Sequence, residues 1–197
     1  MKTLTITILA AVLTVFSSIS QSQWLQVHGG SNQFLYKVSA FNPNVIVATG
    51  ESGLILRSTN GGNNWQQITS GTNYTLENLS TKGNTGLASS RYGAVVLKTT
   101  DQGLSWVSIN AGWQSNFQAV NVHVLNDNTF YVVTVGYFNM YYNYGIYKST
   151  NGGANWTWIS SNNLPSVPSV DISFVNEMTG YMISGNSVRK TDDGGLT

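Results

Sequence analysis

The sequence predicts an all-β protein, a β-propeller of four-stranded antiparallel blades. Three observations carry that expectation. A nine-residue phrase recurs as RSTNGGNNW (57–65), KTTDQGLSW (98–106) and KSTNGGANW (148–156), with a shortened copy, KTDDGGLT, at 190–197. Trp24, Trp65, Trp106 and Trp156 stand 41, 41 and 50 residues apart, close to the ~40–45 residues of a propeller blade. Between the phrases lie short β-branched and aromatic runs bounded by Gly, Asn and Ser, and no stretch after the N-terminal segment keeps a 3.6-residue period.

The same order of elements is expected in every period. A first strand is read at FLYKVSAF (34–41), TLENLS (75–80), FQAVNVHVL (117–125) and SVDISFV (169–175). A second is read at VIVATG (45–50), TGLASS (85–90), TFYVVTV (129–135) and TGYMIS (179–184). The third, LILRST, AVVLKT, GIYKST or SVRKT, runs into the repeated phrase. The fourth starts at its tryptophan as WQQI, WVSI or WTWI, and WLQV (24–27) is left as an orphan copy.

The phrase itself reads as the tight turn between the third and fourth strands. Ser58, Thr99, Ser149 and Thr191 open it, and Asn60, Asp101, Asn151 and Asp193 can bond the backbone two residues on. Gly62, Gly103, Gly153 and Gly195 can accept a positive φ. Trp65, Trp106 and Trp156 then fold back over the turn and bury a large area. These polar residues are therefore read as structural. Arg57, Lys98, Lys148 and Lys190 recur one place before that opening Ser or Thr and read as solvated strand positions.

The phrase resembles the Asp-box, or bacterial neuraminidase repeat, Ser/Thr-x-Asp-x-Gly-x-Thr-Trp. Boxes 58–65 and 149–156 depart from it with Asn for Asp. The resemblance implies a β-propeller family that includes sialidases, sortilin-type receptors, xyloglucan-cleaving enzymes and photosystem II assembly factors. The short repeat and the G-x-[IV]-x-[KR]-[ST] approach to each box look most like the assembly factors and their secreted bacterial relatives. It also implies that function sits on the face away from the boxes, built from the loops between second and third strands and the blade connectors.

Candidate binding residues follow from that face. The third blade's loop (135–145) holds the extra residues of the 50-residue step and gathers Tyr137, Phe138, Tyr141, Tyr142 and Tyr144, with Trp113 in a connector. Exposed aromatics stack on sugars or anchor a protein partner; packing of these tyrosines on one another in a longer hairpin is the plainer alternative. Arg91 breaks the repeat register and is the arginine placed to meet an anion, while Glu51 is the carboxylate that falls in a working-face loop.

Charged residues make up 9% of the chain and the net charge is +1, which argues against a nucleic-acid partner. Residues 1–22 read as a signal peptide, with Lys2 before the apolar run Leu4–Phe16 and small residues at Ser18, Ser20 and Ser22. Residues 23–197 then form the exported propeller, secreted, periplasmic or on the surface of a bacterial cell, with no membrane span after cleavage. The absence of cysteine removes disulfide and thiol chemistry. His28 and His123 are too far apart in the blade order for a metal site, and no metal or other cofactor is expected.

Aromatics and amides, in place of converging carboxylates and arginines, point to a protein- or glycan-binding module. Its partner is a protein or a polysaccharide. The alternative is a glycoside hydrolase of the sialidase or xyloglucanase type, which needs a matched carboxylate pair; Glu51, Glu77 and Asp171 form none by register, and Asp127 and Glu177 fall on the box face. The last box stops at Thr197 before its tryptophan. That favours a larger propeller of which about four blades are visible, against a four-blade ring closed by WLQV.

Overall fold

A computed structural model of the chain describes residues 24–28, 32–109, 112, 117–138, 141–160 and 170–196. It contains four antiparallel sheets whose strands follow chain order, as the repeat requires. Blade 1 holds β1 (Leu35–Ala40), β2 (Ile46–Gly50), β3 (Ile55–Ser58) and β4 (Gln66–Ile68). Blade 2 holds β5 (Asn78–Lys82), β6 (Thr85–Ser89), β7 (Val96–Thr99) and β8 (Val107–Ser108). Blade 3 holds β9 (Phe117–Val124), β10 (Phe130–Phe138), β11 (Tyr141–Ser149) and β12 (Thr157–Ser160). Blade 4 has three strands among the described residues, β13 (Val170–Phe174), β14 (Gly180–Ser184) and β15 (Ser187–Thr191).

One strand boundary needs correction. The second blade's first strand begins at Asn78, three residues late, because Leu76 turns into the seam and its N–H donates to the Gly50 carbonyl of blade 1 at 2.9 Å. In the third blade the extra residues form a longer hairpin, the plainer of the two readings of 135–145. Phe138 pairs with Tyr141, Tyr137 with Tyr142 and Val135 with Tyr144, so the extra residues lengthen β10 and β11.

Alternation along each strand gives every blade two apolar faces, and consecutive blades pack face on face. Between blades 1 and 2 lie Val47, Ile55 and Ile68 against Leu79, Leu97 and Trp106. Leu87 and Val96 of blade 2 meet Val122, Val124 and Phe130 of blade 3. Tyr131, Val133 and Ile146 of blade 3 meet Ile172 and Phe174 of blade 4. Each such side chain stabilises its seam by ~1.5–3 kcal/mol relative to leaving it in water.

Polar bonds fix the seams in register. Ser39 Oγ lies 2.7 Å from Thr81 Oγ1, Ser80 Oγ accepts the Val124 N–H at 3.0 Å, and His123 Nε2 accepts that of Phe174 at 3.1 Å. The recurring basic residues cross the same seams, contrary to the solvated reading. Arg57 Nε donates to the Gln102 carbonyl at 2.8 Å, Lys98 Nζ to Gly152 at 2.6 Å and Lys148 Nζ to Glu177 at 3.1 Å. Each clamps its blade to the box side of the next. Asp127 and Glu177 do likewise, accepting from Thr85 at 2.7 Å and Thr129 at 3.1 Å.

Candidate functional site

The boxes lie with the loops that join first and second strands. Gly61, Gln102, Gly152 and Gly194 each donate their N–H to a carbonyl of that loop, from Asn44, Asn84, Asn128 and Met178. Within a box the opening hydroxyl does two jobs. Thr99 Oγ1 donates to Asp101 Oδ1 at 2.7 Å and accepts the Gly103 N–H at 2.9 Å. Ser58, Ser149 and Thr191 repeat both bonds with Asn60 and Gly62, Asn151 and Gly153, and Asp193 and Gly195. The second acceptor bond goes to the chain beyond, as Asn60 Oδ1 takes the Asn64 N–H at 2.9 Å. The indoles of Trp106 and Trp156 close the turn by donating to the Gly103 and Gly153 carbonyls. The opening hydroxyl and the Asn or Asp that follows it are thus committed to their own turn in each box.

The opposite face is built from the loops between second and third strands and the blade connectors. At the junction of blades 1 and 2, six side chains of mixed chemistry come together there. A β-bulge between Leu35 and Lys37 releases Tyr36 from strand pairing and re-aims its side chain. Glu51 opens a 3₁₀ turn, Glu51–Gly53, whose Ser52 and Gly53 take φ of +53° and +72°. Its carboxylate accepts the Phe34 N–H at 3.1 Å and faces the Tyr36 hydroxyl at 3.5 Å. Desolvation, then the Glu51 charge, pushes the Tyr36 hydroxyl above its ordinary pKa, with smaller pushes from Glu77 and Tyr92. Blade 2 supplies Arg91 and Glu77, 3.7 Å apart. Tyr74 lays its ring on Gly93, where a β-carbon would meet it at 2.6 Å. Tyr36, Tyr74 and Tyr92 are all about half exposed and offer ring faces and hydroxyls beside two carboxylates and a guanidinium.

Sequence reading located Glu51 and Arg91 on this face and missed Tyr36, Tyr74 and Tyr92. The bulge that aims Tyr36 leaves no signature in LYKVSA, which reads as an ordinary strand. Of the aromatic candidates, Tyr144 is corrected: it is 7% exposed and packs in the seam between blades 3 and 4 with Val135 and Ile159. Tyr137, Phe138, Tyr141 and Tyr142 lie in the strands of the long hairpin. Trp113 lies outside the described residues. Of the carboxylates weighed for acid chemistry, Glu51 accepts from Phe34, Glu77 pairs with Arg91, and Asp171 accepts from Asn121 at 2.9 Å. His123 is a seam residue, and no cluster of three or more His, Asp or Glu that could hold a metal occurs among the described residues.

A family model described as photosynthesis system II assembly factor YCF48 matches residues 16–168. The chain belongs to the YCF48 family. Among solved structures, YCF48 bound to D1 peptide has a TM-score of 0.60 at 18% identity, over 79% of this chain and 52% of that one. YCF48 from Cyanidioschyzon merolae has a TM-score of 0.63 at 22% identity, over 86% and 59%. The GH74 xyloglucanase from Xanthomonas campestris has a TM-score of 0.60 at 12% identity, over 78% and 26%. No curated protein matches. The chain spans between half and three fifths of the length of the two YCF48 structures, and at these identities the likeness establishes the propeller fold. No described helix of this YCF48-family chain is long and apolar enough to cross a membrane.

Proposed function

We propose that this chain is an exported binding module that holds a polypeptide partner on the face opposite its boxes. The observation that carries the reading is the patch of Tyr36, Glu51, Tyr74, Glu77, Arg91 and Tyr92 at the junction of blades 1 and 2. Its tyrosines are exposed on rigid strands and tight turns, which lowers the ordering cost of recognition, and aromatic and arginine side chains dominate protein-binding hot spots. Membership of the YCF48 family supports a protein partner, since a YCF48 structure carries a peptide of D1. Export rests on the apolar N-terminal segment of residues 1–22.

Hydrolysis is the weaker reading. A GH74 enzyme shares the fold, but fold does not carry activity, and the described carboxylates are held in structural bonds. Panning a displayed random-peptide library on the chain, beside a glycan array, separates the classes. Enrichment of peptides, lost in a Tyr36→Ala, Tyr92→Ala double variant that still folds, is expected. Glycan binding with no peptide enrichment, or turnover of a fluorogenic glycoside that Glu51→Gln abolishes, overturns the proposal.

A further inference from the structure

The four boxes divide by the acid or amide that follows the opening hydroxyl. Boxes 2 and 4 carry Asp101 and Asp193, and boxes 1 and 3 carry Asn60 and Asn151. Each of these two asparagines precedes a glycine, Gly61 or Gly152, and no other asparagine of the chain does. An Asn-Gly pair is chemically labile. Glycine lacks the side chain that would shield its nitrogen, so that nitrogen can close on the asparagine Cγ. Both asparagines are exposed, which gives water access and ammonia an exit.

The acid boxes show how a carboxylate fits at this place. Asp101 Oδ1 accepts from Thr99 Oγ1 at 2.7 Å and from the Ser105 N–H at 3.0 Å, and its Oδ2 accepts from Ser105 Oγ at 2.6 Å. Asp193 Oδ1 accepts from Thr191 Oγ1 at 2.6 Å. In the amide boxes the same hydroxyl bond is 3.0 Å, from Ser58 to Asn60 and from Ser149 to Asn151. A neutral acceptor in place of an anion lengthens the bond in this direction. The position of Ser105 is taken by Asn64 and Asn155, whose side-chain amides can donate to a second carboxylate oxygen. Clamp cations already sit beside three boxes. Arg57 bonds the Gln102 carbonyl next to Asp101, and Lys148 Nζ would lie 3.2 Å from a β-carbon on Gly194, next to Asp193. Lys98 Nζ bonds the Gly152 carbonyl at 2.6 Å, next to Asn151. Box 3 therefore sets a cation beside a neutral amide where boxes 2 and 4 set one beside an anion.

We propose that Asn60 and Asn151 are deamidation sites, gated by opening of their boxes, whose aspartate product closes again in the manner of box 2. In the closed box the reacting groups are tied elsewhere. The Gly61 and Gly152 N–H groups donate to the Asn44 and Asn128 carbonyls at 3.0 and 2.9 Å, and each asparagine Oδ1 accepts the Asn64 or Asn155 N–H at 2.9 Å. Opening frees them. The glycine nitrogen then attacks Cγ, the new N–C bond closes a succinimide, and the side-chain nitrogen leaves as ammonia with the glycine proton. Water adds at Cγ and breaks that N–C bond, returning the N–H to glycine and leaving a carboxylate. Addition of water at the other ring carbonyl gives isoaspartate, whose longer main chain cannot close the turn. Each conversion adds a negative charge to a chain of net charge +1, and in box 3 that charge arises beside Lys98.

The test ages the whole chain in mildly alkaline buffer, folded and in denaturant, and reads each asparagine by peptide mass spectrometry. Conversion to acid is expected at Asn60 and Asn151, with Asn63 and Asn64 of the first box left as amides. It is expected to run at least about tenfold slower in the folded chain, because only the opened fraction reacts. An Asn60→Asp, Asn151→Asp double variant is expected to fold and to melt about 2–4 °C above the wild type. Amides intact at 60 and 151 in the denatured chain, equal rates in the two states, or a double variant that melts no higher than the wild type would each overturn the proposal.

Discussion

Two titrating side chains tie single-residue chemistry to the fold in separate pH windows. Burial of His123 holds its imidazole below the ordinary 6.5, and Lys82 lowers it further, against opposing pulls from Phe174 and Asp171. The unfolded chain therefore takes up a proton that the folded chain resists, so stability is full above about pH 6.5 and falls as the pH drops below it. The cause is local: the imidazole is buried in the seam between blades 3 and 4, where lost hydration disfavours its charged form. Denaturant midpoints between about pH 7 and pH 5 should decline in the wild type and flatten in His123→Gln. Asp101 acts lower down. Burial pushes its pKa up, but the bonds from the Ser105 hydroxyl and N–H and from Thr99 outweigh that and leave it below the usual carboxylate value. Its contribution is present above about pH 4 and lost as the pH falls through the lowered value. Asp101→Ala should destabilise the chain by ~1 kcal/mol at neutral pH, the usual cost of removing a side chain that caps backbone donors; an unchanged midpoint would show the box to be dispensable.

At the scale of the element, the box and its clamp make each blade depend on its neighbour. Gly103 has φ of +81°, and a β-carbon there would lie 2.7 Å from Val47 of the preceding blade. Gly103→Ala should thus cost more than the ~1 kcal/mol of the backbone alone, read as a fall in melting temperature larger than that of Gly71→Ala, which is open around its β-carbon. Lys98→Met removes the charged donor from the Gly152 carbonyl while keeping much of the stem, and should cost ~1.5–3 kcal/mol. The boxes, the period and most strands were legible in the sequence because turn chemistry and alternation are local. Three other features were not. The clamp role of Arg57, Lys98 and Lys148 depends on the offset between blades, which no single strand encodes. The bulge that aims Tyr36 and the burial of Tyr144 in the seam likewise follow from pairing and packing with a neighbour.

For the whole molecule, the claim is that a repeat scaffold presents one face for a partner while the box face holds the blades together. The face assignment was legible once the box turn was placed, since alternate loops of an antiparallel blade fall on opposite sides. The composition of the patch was not, because Tyr36, Tyr74 and Arg91 come from a strand, a connector and a loop that only the curvature of the blades brings close. Amide hydrogen exchange with and without a bound, library-selected peptide tests the claim most directly. The account predicts added protection at residues 49–53, 74–77 and 89–93 and none at boxes 58–65 and 99–106. Protection centred on the boxes, with the tyrosine patch unchanged, would contradict it.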